Sequence, residues 1–140
     1  MNKAVSILGL GWLGLPLAEA FLSKGYTIKG STTSEAKLAA IQSKGITAFS
    51  ITLTEAAVKG EVKNFLNDSE VLIIDIPPGL RRDPSSDFVR KIQRLLPSIE
   101  ASTLPHVLFI SSTTVFEDKK EFPVIIAQTI PNSDSEAGKQ

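Results

Sequence analysis

The chain has 140 residues, 42% of them hydrophobic, and its 15 basic side chains balance 15 acidic ones. That length suits one domain with a packed core, and the balanced charge leaves no basic field to hold nucleic acid or an anionic membrane. The lack of cysteine excludes a disulfide framework, a thiolate zinc site and a cysteine nucleophile, and a single histidine, His106, excludes a histidine metal cluster.

The N-terminal run MNKAVSILGLGWLG is broken by three glycines and reaches Glu19 and Lys24 with no small-residue cleavage site, so it does not read as a signal peptide. No apolar segment reaches the roughly 20 residues needed to span a bilayer. A cytoplasmic protein with a small-molecule ligand is the expectation, and a homo-oligomer is compatible with it.

Lys3 to Leu8 is a short apolar run stopping at glycine, the pattern of a buried parallel strand. Leu13, Leu17, Ala20 and Phe21 recur at helical spacing until Gly25, with Pro16 tolerable in the first turns. Tyr26 to Gly30 reads as the second strand. Ser34 to Lys44 reads as a second helix, with Ser34 as N-cap and Gly45 as the stop. Ile46 to Ile51 is the third strand, and Thr54 to Asn67 is predicted as a third helix despite Gly60. Glu70 to Ile76 is a continuous apolar strand closed by Pro77-Pro78-Gly79. Asp87 to Ala101 forms a fourth helix, broken or capped around Pro97, and His106 to Ser111 the fifth strand. From Glu117 the pattern loosens.

Alternating strands and helices imply a doubly wound parallel α/β sheet (a Rossmann arrangement) of about five strands with helices on both faces. The chain is expected to be a single dinucleotide-binding domain over residues 1–140. Its pattern stops where another helix would begin, which suggests the N-terminal part of a longer protein that lacks its last strand and a substrate-binding portion here.

The chemistry concentrates in Gly9-Leu10-Gly11-Trp12-Leu13-Gly14, a G-x-G-x-x-G turn that follows a strand and opens a helix. In such a turn Gly9 makes the tight bend, Gly11 lets the backbone approach a pyrophosphate, and Gly14 lets helix and strand pack closely. The helix N-terminus supplies free N–H groups and partial positive charge for phosphate. Trp12, inside the turn, must lie against the cofactor, a neighbouring loop or solvent, and a packing role near the site is expected.

An acid about 20 residues past the turn would bind the ribose of NAD. Here the region reads Gly30-Ser31-Thr32-Thr33-Ser34-Glu35-Ala36-Lys37. Hydroxyls and Lys37 could accept a 2′-phosphate that an acid would repel, so NADP(H) is favoured. Glu35 stands close enough to a ribose hydroxyl to keep NAD(H) open. Pro77 and Pro78 either stiffen a loop against the cofactor or merely stop the strand. Arg81 and Arg82, with Asp83, read as a solvated loop, with a phosphate-bearing ligand as the alternative, and Asp75 reads as structural.

Two segments together resemble the extended and atypical short-chain dehydrogenase/reductases, the NAD-dependent epimerase/dehydratases of nucleotide sugars. They are GLGWLGLPLAEAFLSKGYTIKGSTTS and Leu108 to Phe116, LFISSTTVF. The resemblance implies that Ser112 hydrogen-bonds the substrate's reacting oxygen. Its implied partner, a Tyr-x-x-x-Lys motif, is missing: Ala137 or Gly138 stands in place of the tyrosine, and Lys139 has the wrong offset for the lysine. The candidate cofactor contacts are Gly9, Gly11, Trp12, Leu13, Gly14, Thr32, Thr33, Ser34, Lys37, Pro77, Pro78 and Ser111, and the candidate catalytic residue is Ser112. No metal site is expected. GLGWLGLP is also similar to the turn of β-hydroxyacid and imine dehydrogenases. The missing tyrosine leaves a third reading, a module that senses the dinucleotide without turnover.

Overall fold

The computed structural model describes residues 3–121 and 124–140. Its centre is β1 (Ala4–Leu8), buried along its whole length. Because alternate side chains leave a strand on opposite faces, Val5 and Ile7 point into one core while Ser6 and Leu8 point into another. Parallel neighbours follow from crossover connections: β2 (Thr27–Thr32) and then β3 (Thr47–Ser50) lie on one side of β1. On the other side lie β6 (Ser69–Ile74) and β7 (His106–Phe109), giving the order β3-β2-β1-β6-β7. The expected five-stranded doubly wound parallel sheet is present. The order reverses between β1 and β6, where α/β sheets bind ligands at the strands' carboxyl ends.

Helix α1 (Gly14–Ser23) covers one face with α2 (Leu38–Gln42), around a core of Val5, Ile7, Ala18, Ile28, Ile41 and Ile46. On the other face, α3 (Val62–Leu66) and α4 (Phe88–Glu100) enclose Leu8, Ile51, Phe65, Leu72, Ile74 and Leu95. The second core contains a polar pair. The buried Ser6 hydroxyl donates to the Phe65 carbonyl at 2.6 Å and lies 2.8 Å from the Ser69 hydroxyl. Those contacts join β1, α3 and β6, and they satisfy groups that would be costly if buried alone.

Three expected elements differ. Ser34 caps nothing with its side chain; a 3-10 turn at Glu35–Lys37 precedes the short α2. Ser34 instead donates its own N–H to the Thr32 hydroxyl at 3.1 Å, a local turn that competes with helix capping. The helix expected over 54–67 is mostly a hairpin, β4 (Thr52–Leu53) with β5 (Val58–Lys59), and only α3 is helical. Thr54 closes that hairpin, since its hydroxyl donates to the Ala57 carbonyl at 2.7 Å and accepts the Ala57 N–H at 3.0 Å. Gly60 then sits at φ +111°, where a Cβ would lie 2.2 Å from the Ser50 carbonyl oxygen. A helix through that point is excluded. The third difference is Pro97, which breaks nothing: α4 runs through it to Glu100. Proline inside a helix costs about 3 kcal/mol. Leu95 is buried and, with the partly buried Ile92 and Ile99, packs α4 on the sheet; one fully buried side chain such as Leu95 contributes roughly 1.5–3 kcal/mol.

The hairpin is tied to α4. Glu55 accepts the Asp87 N–H on its carboxylate at 2.9 Å, and its carbonyl accepts from Arg94 Nε at 2.9 Å. After β7 the chain forms a 3-10 turn at Thr113–Val115, and α5 (Glu136–Lys139) seats against that turn. The Gln140 side chain then accepts the Phe88 N–H at 2.8 Å and donates to the Ser86 carbonyl at 3.1 Å. Among the described residues, no helix is long and apolar enough to cross a membrane.

A candidate dinucleotide cleft

A cleft of about 880 Å³ opens at the carboxyl ends of the strands. Four stretches of chain meet there: the end of β1 with its glycine turn, the end of β2, the hairpin strand β4, and the loop between β6 and α4. Ser112, Thr114 and Ala137 complete the far end. The sheet reversal is what brings these distant stretches together.

The glycine turn is fixed at its first residue. Gly9 has φ +104°, and a Cβ there would stand 2.3 Å from the Asp75 carbonyl oxygen and 2.8 Å from Ile76 Cγ2. Its N–H donates to the Ser31 hydroxyl at 3.0 Å, and the Leu10 N–H donates to the Ser31 carbonyl at 2.8 Å. The first turn of α1 comes equally close, because a Cβ on Gly14 would meet the Gly9 carbonyl oxygen at 2.1 Å. Gly11 is different. A Cβ there would have nothing within 4 Å. The N–H groups of Gly11, Trp12 and Leu13 donate to no acceptor among the described residues. Open space beside unpaired amides at a helix N-terminus is the arrangement a pyrophosphate needs.

Asp75, expected to be merely structural, stands at this helix end. Its Oδ2 would lie 3.1 Å from a Cβ on Gly14. Burial pushes its carboxyl above the usual carboxylate range, and the Gly14 backbone amide pulls the other way. A partly buried acid so close to the glycine turn is a feature that the strand pattern alone could not reveal.

Of the sequence candidates, Gly9, Trp12, Thr32, Thr33, Pro77, Pro78 and Ser112 line the cleft. Gly11 and Leu13 stand in the turn itself, and Gly14 is buried beneath it. Ser34, Lys37 and Ser111 are not among the lining residues. Trp12 does not pack as expected. It is 90% exposed at the rim, because the turn projects it beyond any neighbour. Sequence reasoning gave little weight to Arg81 and Arg82 and missed Thr52, Leu53 and Lys91, all of which line the cleft.

At the far end, the Ser112 hydroxyl accepts from the Thr114 hydroxyl at 3.0 Å and from the Thr114 N–H at 3.2 Å. With two bonds accepted, its own proton is left to donate. Ala137 lines the cleft beside it. Gly138 is packed so tightly that a Cβ would stand 2.3 Å from the Thr114 carbonyl oxygen, so a tyrosine cannot be accommodated at that position. Among the described residues, no group of three or more potential metal ligands gathers.

Comparison with known proteins agrees with this architecture. The family described as the NAD binding domain of 6-phosphogluconate dehydrogenase matches residues 4–125. Protein YeeZ of Escherichia coli (strain K12) is 33% identical over 118 residues, which cover 83% of this chain and 43% of that protein. The chain thus spans under half the length of this curated relative. Among solved structures, a UDP-N-acetylglucosamine 4-epimerase from Bacillus cereus superposes with a TM-score of 0.72 at 17% identity, covering 99% of this chain and 45% of that one. A functionally unknown conserved protein from Silicibacter pomeroyi superposes with a TM-score of 0.66 at 17% identity, covering 99% and 44%. At such identities these two likenesses concern the fold alone.

Proposed function

The chain belongs to the family of the NAD-binding domain of 6-phosphogluconate dehydrogenase, and from that premise we propose that it binds NADP(H) for an oxidoreductase related to the epimerase/dehydratase group and acting on a carbonyl or hydroxyl substrate. A nucleotide sugar is the substrate class suggested by the ISSTTVF segment. The observation that carries the reading is the pairing of open space at Gly11 with unpaired amides at the start of α1.

Gly11, Trp12 and Leu13 would hold the pyrophosphate through their amides, and Thr32 and Thr33 would meet the adenosine ribose. Pro77 and Pro78 would stiffen the loop after β6 against a face of the cofactor. The cofactor, when bound, supplies hydride donation or acceptance. Ser112 would orient the substrate oxygen with its free proton. The general acid of the epimerase/dehydratases has no counterpart at Ala137 or Gly138, so proton transfer falls to water or to a group outside this chain.

The family match and the GLGWLGLP turn favour a second reading, the cofactor domain of a β-hydroxyacid or imine-type dehydrogenase. Titration with NADPH and NADH, followed by quenching of Trp12, tests the binding shared by both readings. Tighter NADPH binding is expected, tighter NADH binding refutes the cofactor choice, and no binding refutes both readings. Single-turnover hydride transfer to a nucleotide sugar and to a β-hydroxyacid then separates them, and binding without transfer to either indicates a sensing module.

A further inference from the structure

The loop from Gly79 to Asp83 and the start of α4 bring more positive charge into the cleft than the phosphate turn accounts for. Arg81, Arg82 and Lys91 line the same cleft as Thr32 and Thr33. Among the described lining residues Asp83 is the one acid, so cations exceed anions there by two, in a chain whose net charge is +0. The Asp83 carboxylate is already engaged, accepting the Ser85 hydroxyl at 2.6 Å and the Ser85 N–H at 3.0 Å. Lys91 is held in place, its Nζ donating to the buried Ser86 hydroxyl. Neither arginine forms an ion pair among the described residues.

The other wall of the cleft lacks a cation. Lys37, on the Glu35–Lys37 turn, is exposed and is not a lining residue. The end of β2 offers only hydroxyls, and one of them, on Thr32, already accepts the Ser34 N–H. The hairpin strand β4 closes this end through Thr52 and Leu53, and Glu55 fastens it to α4. Hydroxyls on one wall and two guanidinium groups on the other suit a phosphate monoester, whose oxygens accept paired N–H donors.

We propose that Arg81 and Arg82 recognise the 2′-phosphate of NADP(H), so that the cofactor-selecting cations come from the loop after β6 rather than from the segment after β2. This rests on the dinucleotide reading above. The same chemistry would also grip the cofactor's pyrophosphate or a substrate phosphate, and the experiment separates these sources.

Calorimetric titration of the wild type, of Arg81→Gln/Arg82→Gln and of Lys37→Gln would use NADPH, NADH, 2′,5′-ADP and 5′-AMP. In the double variant, NADPH and 2′,5′-ADP are expected to weaken about tenfold or more, while NADH and 5′-AMP stay within about twofold. Lys37→Gln is expected to change none of them. Equal weakening of NADPH and NADH overturns the proposal and assigns the arginines to the pyrophosphate. Unchanged NADPH binding overturns it and leaves them to a substrate phosphate. Loss of NADPH binding in Lys37→Gln alone overturns it in favour of the β2 segment. A wild type that binds neither dinucleotide refutes the dinucleotide reading itself, a distinct result. The single variants Arg81→Gln and Arg82→Gln keep the test readable if the double variant melts early.

Discussion

The three glycines of the turn divide into two kinds, and alanine substitutions separate them. In Gly9→Ala the new methyl would stand 2.3 Å from the Asp75 carbonyl oxygen, on a backbone at φ +104°. A non-glycine residue there carries roughly 1–3 kcal/mol of backbone strain. The clash is with main chain, so β1 and β6 must part, putting the 3.0 Å bond from the Gly9 N–H to Ser31 at risk; such a bond contributes about 1 kcal/mol. The sum is about 2–4 kcal/mol, toward the upper part of the range for a single substitution. For a domain of this size that lowers Tm by roughly 6–16 °C. In Gly11→Ala the methyl enters open space, so stability should stay within about 0.5 kcal/mol of wild type. Dinucleotide affinity should nonetheless fall about tenfold or more, because the methyl stands where phosphate oxygens approach the amides. Thermal melts followed by circular dichroism and calorimetric titration with NADPH measure both effects. If Gly11→Ala binds NADPH like wild type, the pyrophosphate does not lie over this turn. If Gly9→Ala melts like wild type, the close approach of Gly9 to β6 does not constrain the fold.

Asp75→Asn should tighten NADP+ at pH 7 by about threefold or more, since it removes a negative charge beside the phosphate turn; equal affinity at pH 7 would show that Asp75 does not sense the phosphates. The sign for stability follows from its raised pKa. The folded wild type holds that proton more tightly than the unfolded chain, so the penalty is absent at low pH and develops as pH rises through the Asp range, and Asp75→Asn should remove that part of the pH dependence in urea titrations. Ser6→Ala should cost about 1–3 kcal/mol in urea unfolding, because the Phe65 carbonyl and the Ser69 hydroxyl each lose a buried partner. Glu55→Ala should speed hydrogen exchange in β4 and β5 by about tenfold while leaving the β1 and β6 amides protected, because it cuts the hairpin's carboxylate tie to α4.

The sheet could be read from the sequence because buried parallel strands are short apolar runs with clear stops. Lys3–Leu8 and Glu70–Ile76 announce themselves in that way. The 54–67 segment misled because Glu, Ala and Lys favour helices wherever nothing opposes them. What opposed them was the contact of Gly60 with Ser50 and the Thr54 turn, neither visible as a period. The glycine turn was legible for the opposite reason: its geometry is local, and its residues are adjacent. Arg81, Lys91, Thr52 and Ala137 come from four separate stretches, and only the folded chain gathers them in one cleft. Trp12 lines the cleft as the turn suggests, but its 90% exposure at the rim was not legible, because nothing in the sequence says that this turn points outward.

The buried serine pair does more than satisfy hydroxyls. β6 meets β1 with a shift between Ala4 and Val5: Ala4 stands opposite Ser69, Val5 opposite Val71, and Leu8 opposite Ile74. An apolar strand slides past an apolar neighbour with little to choose between alignments, and a slip of one residue sends every side chain to the wrong face. The bond between Ser6 and Ser69 survives in only one alignment. That alignment is also the one that sets Asp75 and Ile76 against Gly9. A hydroxyl midway along β1 and another at the start of β6 therefore act as a position stop for the glycine turn. The fatty core supplies cohesion, and the serines supply the address.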